Sequence, residues 1–304
     1  MLIRRAVDLF LEGYFSTNDR SEKTILAYTT DLAQFCDFLP GRQRLETLEA
    51  EDFEEWAAHL KKKGYAGSSI RRKFAAVRVF LNYWVRRRVL DFSPLTHVRL
   101  QLQVERTLPR VLTQEELRTF LGYARSQMSR VDFIACRDTV IVEILVSTAA
   151  RVGEVVQLRT HDYDPGSGQL LIRGKGRRER IVFVHDALSQ GHLGTYLNLR
   201  AELHPIHDNL LLSPSGRPLS SQGAARVVTR TAADAGISFR VTPHRLRHTT
   251  ASLLLNNGAD IRTVQELLGH TSILTTQRYT QVTKGQLLRS LRRHHPMNEF
   301  PGGI

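Results

Sequence analysis

The stretch TPHRLRHTT (242–250) places four basic side chains where a helix should begin. Thr242 suits the N-cap and Pro243 the first helical position. His244, Arg245, Arg247 and His248 then crowd the positive end of the helix dipole, which disfavours cations by roughly 0.3–1 kcal/mol each. A bound anion removes the conflict. His244 and Arg247 are three residues apart, on one face, and could join free backbone N–H groups in holding a phosphate. Carboxylates elsewhere on the surface would serve as well. In STAARVGEVVQL (147–158), Arg151 emerges from an apolar run and needs a partner. Glu154, three residues on, could make a structural pair with it or orient it as a second phosphate clamp. Lys175 stands between Gly174 and Gly176, which permit a tight turn. It is either an ordinary exposed lysine or a general acid able to reach a leaving oxygen. In LLGHTSILTTQRYT (267–280), Gly269 closes a helix, His270 follows it, and Tyr279 lies nine residues further on. A tyrosine can be a core residue or a covalent nucleophile. Free phenol has a pKa near 10, so ionising it at pH 7 costs roughly 4 kcal/mol, which nearby cations would reduce.

These residues need a scaffold, and hydrophobic spacing indicates which one. The run TVIVEILVSTAA (139–150) reads as a buried helix rather than a membrane span, being short and interrupted by Glu143. Thr113 and Glu116 form a capping box ahead of a helix. Strand signals occur only between about 155 and 184, where QLLIRG (169–174) and RERIVFV (178–184) form a hairpin with Lys175 at its tip. Helices are expected at 187–202, 221–235, 243–257, 260–268 and 272–280, with an amphipathic last helix carrying Leu287, Leu288 and Leu291. The first hundred residues show amphipathic helices and no strand: 21–39 capped by Ser21, 52–60, and one capped by Ser68 or Ser69. The fold class is therefore mainly α with a small β-sheet (α+β). Residues 1–97 form a helical domain, 98–110 a linker, 111–293 a second domain and 294–304 a loose tail.

The chain has 304 residues, a formal net charge of +13 and a pI of about 10.2. That excess points to a polyanion, nucleic acid before an anionic membrane. The charge is concentrated: residues 61–90 hold ten Lys/Arg and no acid. Lys61, Lys62, Lys63, Arg71, Arg72, Lys73 and Arg78 are expected on an outer, DNA-facing surface, while Phe74, Val77, Phe80, Leu81 and Trp84 face a core. Cys36 and Cys136 read as reduced core residues of a cytoplasmic protein, since two cysteines make no disulfide framework. The histidines lack zinc-site spacing, and no metal is expected. No signal peptide is evident.

The motifs ARVGE, GKGRRER, HRLRH, LGHTS and TTQRYT, in this order, resemble those of the tyrosine recombinase (phage integrase) family, and most of all its Xer-like members. The likeness spans nearly the whole chain. It implies a SAM-like helical core-DNA-binding domain followed by a catalytic domain. Arg151 and Arg247 would clamp the scissile phosphate, with Glu154 supporting Arg151. Tyr279 would attack phosphorus to give a 3′-phosphotyrosine, and Lys175 would protonate the departing 5′-oxygen. His244 would act as general base or acid, and His270 would position the phosphate. Arg177, Arg178 and Arg245 would join the DNA contacts. No cofactor, metal or ATP is implied. The partners implied are a double-stranded DNA recombination site and either a homotetrameric synapse or a second recombinase, working through a Holliday junction at the cytoplasmic nucleoid. The last helix would dock on a neighbouring subunit, the alternative being that it packs on its own domain. The alternatives are a type IB topoisomerase, disfavoured because that family tends to have lysine where His244 stands, and a non-catalytic DNA-binding protein, which has no need of Tyr279. Two departures stand out: a stretch often written Thr-Gly-Leu-Arg reads Thr148-Ala149-Ala150-Arg151, and Gly153 replaces a frequent serine.

Overall fold

In a computed structural model the chain divides into two compact units, Met1–Thr107 and Leu108–Ile304, each with its own hydrophobic core. The structure describes all residues except 19–21, 40, 42, 99, 101–109, 131, 175–178, 270–283 and 300–304. The cap expected at Ser21 and the helix expected at 272–280 lie outside the described residues.

The first unit is helical: α1 (Ile3–Thr17), α2 (Glu22–Phe38), α3 (Ala50–Lys62) and α4 (Gly67–Arg86). Aromatic side chains from all four fill its core, with Phe35 stacked on Phe53 and edge-to-face contact between Phe10 and Phe80. α4 begins one residue before the expected caps: Ala66 is its N-cap and makes no side-chain cap bond, so Ser68 and Ser69 fall within its first turn. Lys61 and Lys62 end α3, where their charge complements the dipole.

One expected DNA contact is overturned. Lys73 does not lie on the outer face but is 2% exposed. It stands three residues after Ile70 and four before Val77, on the stripe that faces inward. Its ammonium donates to Asp31 Oδ1 at 2.9 Å and Gln34 Oε1 at 2.6 Å, both on α2. Arg72 also pairs with buried Asp31 but keeps half its side chain exposed. Arg71 and Arg78 are exposed.

The second unit contains α5 (Gln114–Ser126), α6 (Phe133–Thr148), α7 (Val152–Val155), β1 (Tyr163–Asp164), β2 (Gln169–Arg173), β3 (Glu179–Phe183), α8 (Ala187–Glu202), α9 (Ser221–Asp234), α10 (Pro243–Asn256), α11 (Ile261–Leu268) and α12 (Lys284–His294). Thr113 caps α5 through the expected box with Glu116. The sheet is antiparallel in the order β1-β2-β3, with Leu171 opposite Ile181. Leu170, Ile172 and Val182 point into the core, as strand alternation requires.

α6 is buried on every side because α5, α8, α9 and α10 surround it. Its one acid in the apolar run, Glu143, is accommodated by Arg125 Nε at 2.8 Å and His192 Nδ1 at 3.0 Å. A buried carboxylate demands such partners. Cys36 and Cys136 are both buried. No helix among the described residues is long and apolar enough to cross a membrane.

The described C-terminal residues pack on the second unit. α12 packs on its own unit: Leu287 and Leu291 are 4% and 0% exposed within that core, and Leu288 packs against it. Its apolar residues are covered by this chain's own second core. The tail is not loose up to Glu299. A 3₁₀ turn covers Pro296–Glu299, and His295 and Met297 are buried. His295 Nε2 lies 3.2 Å from Val146 O, and His185 Nε2 lies 3.1 Å from Asn298 Oδ1.

Candidate active site

α6 ends in a left-handed residue, Ala149, with φ 49° and ψ 25°. That turn reverses the chain so that Ala150 and Arg151 lead into α7. It explains why glycine suits this position: the left-handed region costs an L-residue roughly 1–2 kcal/mol. Glycine would relieve that strain but forfeit about 0.8 kcal/mol of methyl burial and some 0.4–1 kcal/mol in unfolded-state entropy. Ala149→Gly is therefore expected to change stability by less than about 1 kcal/mol, while the β-branched Ala149→Val costs more than about 2 kcal/mol. Urea denaturation checks both; a large stabilisation by glycine would mean the turn is strained beyond this reckoning. At Gly153 an added Cβ would meet only Ser221 Oγ at 3.8 Å, so steric space does not demand that glycine.

Arg151 follows the turn with its side chain 52% exposed. Its backbone N–H donates to Glu154 Oε2 at 2.9 Å and its Nη1 to Glu154 Oε1 at 2.9 Å. The carboxylate thus fixes both ends of Arg151. On the other side of the same carboxylate stands Arg180 of β3, with Nη1 3.1 Å from Oε1 and Nη2 2.7 Å from Oε2. Burial by itself would raise the Glu154 pKa. The hydrogen bonds from Arg180 and from the Arg151 backbone, then the charge of Arg180 and the hydrogen bond from the Arg151 side chain, outweigh it and hold the carboxyl at about 2.

α10 begins as the sequence indicates. Thr242 accepts the Arg245 N–H, and Pro243 occupies the first turn. Arg247 is 6% exposed and meets carbonyl groups rather than a carboxylate. Nη1 donates to Ala149 O at 2.7 Å and Nη2 to Leu268 O at 2.6 Å. These bonds tie α10 to the turn before Arg151 and to the end of α11. Burial, then the nearby charge of Arg151, lowers the Arg247 pKa to about 10, so it remains charged at neutral pH. His244 is exposed one turn before, its Nε2 3.2 Å from His248 Nε2. Arg245 turns away: its guanidinium bonds Arg240 O and lies 5.0 Å from the Phe239 ring centroid.

Among the described residues, three guanidinium groups and one carboxylate share this region: Arg151 and Arg180 divide Glu154 between them, Arg247 has no carboxylate, and the net charge of the four is +2. The structure brings Arg151, Glu154 and Arg247 together and sets His244 on the helix of Arg247. Lys175, Arg177, Arg178, His270 and Tyr279 lie outside the described residues. Reading the sequence for chemistry missed Arg180. The only signal was its place inside the basic hairpin motif, and nothing local marks it as the partner of a carboxylate 26 residues away. Among the described residues no three His, Cys, Asp or Glu side chains group as metal ligands do.

The described chain thus has a four-helix first unit and a mainly helical second unit in which Arg151 and Arg247 stand close to one turn. Residues 110–286 match the phage integrase family, and residues 7–88 match the phage integrase N-terminal SAM-like domain. The chain belongs to the phage integrase family, the tyrosine recombinases. It is 35% identical to a tyrosine recombinase XerC of Listeria innocua, over 94% of this chain and 96% of the relative. It is 34% identical to a tyrosine recombinase XerD of Halalkalibacterium halodurans, over 91% of this chain and 92% of the relative. A λ integrase, solved as a tetramer bound to a Holliday junction, shares the fold with a TM-score of 0.71 at 20% identity, over 91% of this chain and 80% of that one.

Proposed function

We propose that the protein is a site-specific DNA recombinase that cuts and rejoins strands through a 3′-phosphotyrosine at Tyr279 and passes through a Holliday junction. The observation that carries this reading is the uncompensated charge around Arg151 and Arg247. A phosphodiester attacked by a phenolate brings two negative charges, which matches that surplus. Phosphoryl transfer depends mainly on positioning and charge stabilisation, and preorganised donors supply both. In this reading Arg151, held by Glu154, and Arg247, held by two carbonyls, grip the non-bridging oxygens. Lys175 gives a proton to the leaving 5′-oxygen, His244 exchanges one with the tyrosine side, and His270 orients the phosphate. The protein works on double-stranded DNA in the cytoplasm, as a tetramer or with a second recombinase. The covalent bond conserves the energy of the phosphodiester, so the reading includes no ATP step.

The test is to incubate the chain with fragmented bacterial DNA, trap covalent complexes under denaturing conditions and sequence the attached ends. A recombinase yields one recurring sequence joined through its 3′ end. Adducts spread without sequence preference favour a topoisomerase, and no adduct at all favours a non-catalytic binder.

The first unit supplies the basic face of α4. With Lys73 committed to Asp31, the residues to neutralise are Arg71 and Arg78. The Arg71→Gln/Arg78→Gln variant should weaken DNA binding and flatten the plot of log affinity against log salt, by about 0.9 per lost phosphate contact. Gel shifts at several salt concentrations measure the slope, and an unchanged slope removes this face from the interface. Lys73→Gln should instead destabilise the unit, because it leaves Asp31 with a weaker partner.

A further inference from the structure

We propose that Arg180 is a positioning residue, a brace between Glu154 and the end of α11 that sets Arg151 and Arg247 to meet one phosphate. The inference rests on the recombinase reading above and adds to it a residue outside the set Arg151, Glu154, Lys175, His244, Arg247, His270 and Tyr279.

Three observations converge on this side chain. First, it is 10% exposed and bonds both oxygens of Glu154, one through each terminal nitrogen. Such a fork fixes the plane of the carboxylate as well as its place. Arg151, which is half exposed, takes its own direction from that plane. Second, Arg180 Nε donates to Leu267 O at 3.1 Å, while the next carbonyl, Leu268 O, accepts from Arg247. Two arginines thus hold adjacent carbonyls of one helix end, one reaching back to Glu154 and the other to Ala149. Third, Gly269 closes α11 at φ +62°, and a Cβ there would come within 3.1 Å of Arg180 Nη1. The helix end is shaped to let the guanidinium pass.

The chain geometry makes this brace necessary. Arg151 and Arg247 stand 96 positions apart in sequence on separate helices. Ala149 O links them on one side, and the path through Glu154, Arg180 and the α11 terminus closes the other. Removing one link leaves the arginines free to shift against each other. A displacement of about 1 Å at such a site can cost on the order of a hundredfold in rate. A buried guanidinium is expensive to desolvate, so simple packing at this position would be better served by an apolar side chain.

The test uses the full chain and a nicked duplex built on the cleavage sequence recovered from wild-type adducts. The single-turnover rate of adduct formation at saturating protein and the DNA affinity are measured for Arg180→Gln, Arg180→Lys, Glu154→Gln and the Glu154→Gln/Arg180→Gln pair. Both Arg180 variants should cleave about tenfold to a hundredfold more slowly, with affinity within about threefold of wild type. Lysine keeps the charge but cannot fork, so it should not rescue. Because Arg180 acts through Glu154, the double variant should be no more than about threefold slower than the slower single one. Wild-type rates in Arg180→Lys overturn the brace, and this variant decides if Arg180→Gln does not fold. Losses that multiply in the double variant also overturn it, since Arg180 would then act independently of Glu154. Affinity that falls in step with rate overturns it too. A wild-type chain that forms no adduct fails the functional reading itself; a wild type that cleaves beside unaffected variants fails the brace alone.

Discussion

Tyr279→Phe is expected to bind recombination-site DNA as tightly as the wild type and to form no covalent adduct. The change removes one oxygen and no charge, so the cationic contacts that supply affinity are untouched. The chemistry disappears entirely, because a phenyl ring offers phosphorus no lone pair. Deprotonating a phenol at pH 7 costs roughly 4 kcal/mol. In the proposed mechanism the guanidinium charge of the site would lower that cost, and each 1.36 kcal/mol recovered is worth about tenfold in rate. A denaturing gel with a nicked duplex gives the answer directly. An adduct that persists in Tyr279→Phe assigns the nucleophile to another side chain and ends this account of the mechanism.

The two clamp arginines should respond differently to the same substitution. Arg247→Ala is expected to lose cleavage and stability together. It leaves Ala149 O and Leu268 O without their donor inside the protein, and an unsatisfied buried polar group costs about 1–3 kcal/mol. Arg151→Ala should lose cleavage by a similar factor, about a hundredfold to a thousandfold, the cost of removing one preorganised donor. Its effect on stability should stay within about 1 kcal/mol, because its side chain is half exposed and Glu154 keeps both bonds to Arg180. Single-turnover cleavage and urea denaturation on the two variants separate these effects. Equal stability losses would mean that Arg247 is not the buried member of the pair.

Much of the scaffold was legible because it depends on local spacing. Thr113 with Glu116, and Thr242 with Pro243, announce helix starts through contacts three residues long. The Arg151–Glu154 pair is equally local. The burial of Lys73 was also legible: it stands four residues before Val77, on the same inward stripe of α4. The last helix was different, since an amphipathic face states that it will be covered but not by what.

By itself the sequence determined the mainly helical class with one small sheet, and the family that its ordered motifs mark. Side-chain type and short-range periodicity suffice for that, because helices, strands and caps are decided within a few residues. Only the tertiary structure decided that Arg180 grips Glu154, that Arg247 rests on the carbonyls of Ala149 and Leu268, and that α12 folds back on its own unit. The arginine contacts join residues 26, 98 and 21 positions apart. The physical reason is that a buried group must find its partner in space, and nothing in the neighbouring residues fixes which distant one the folded chain will deliver.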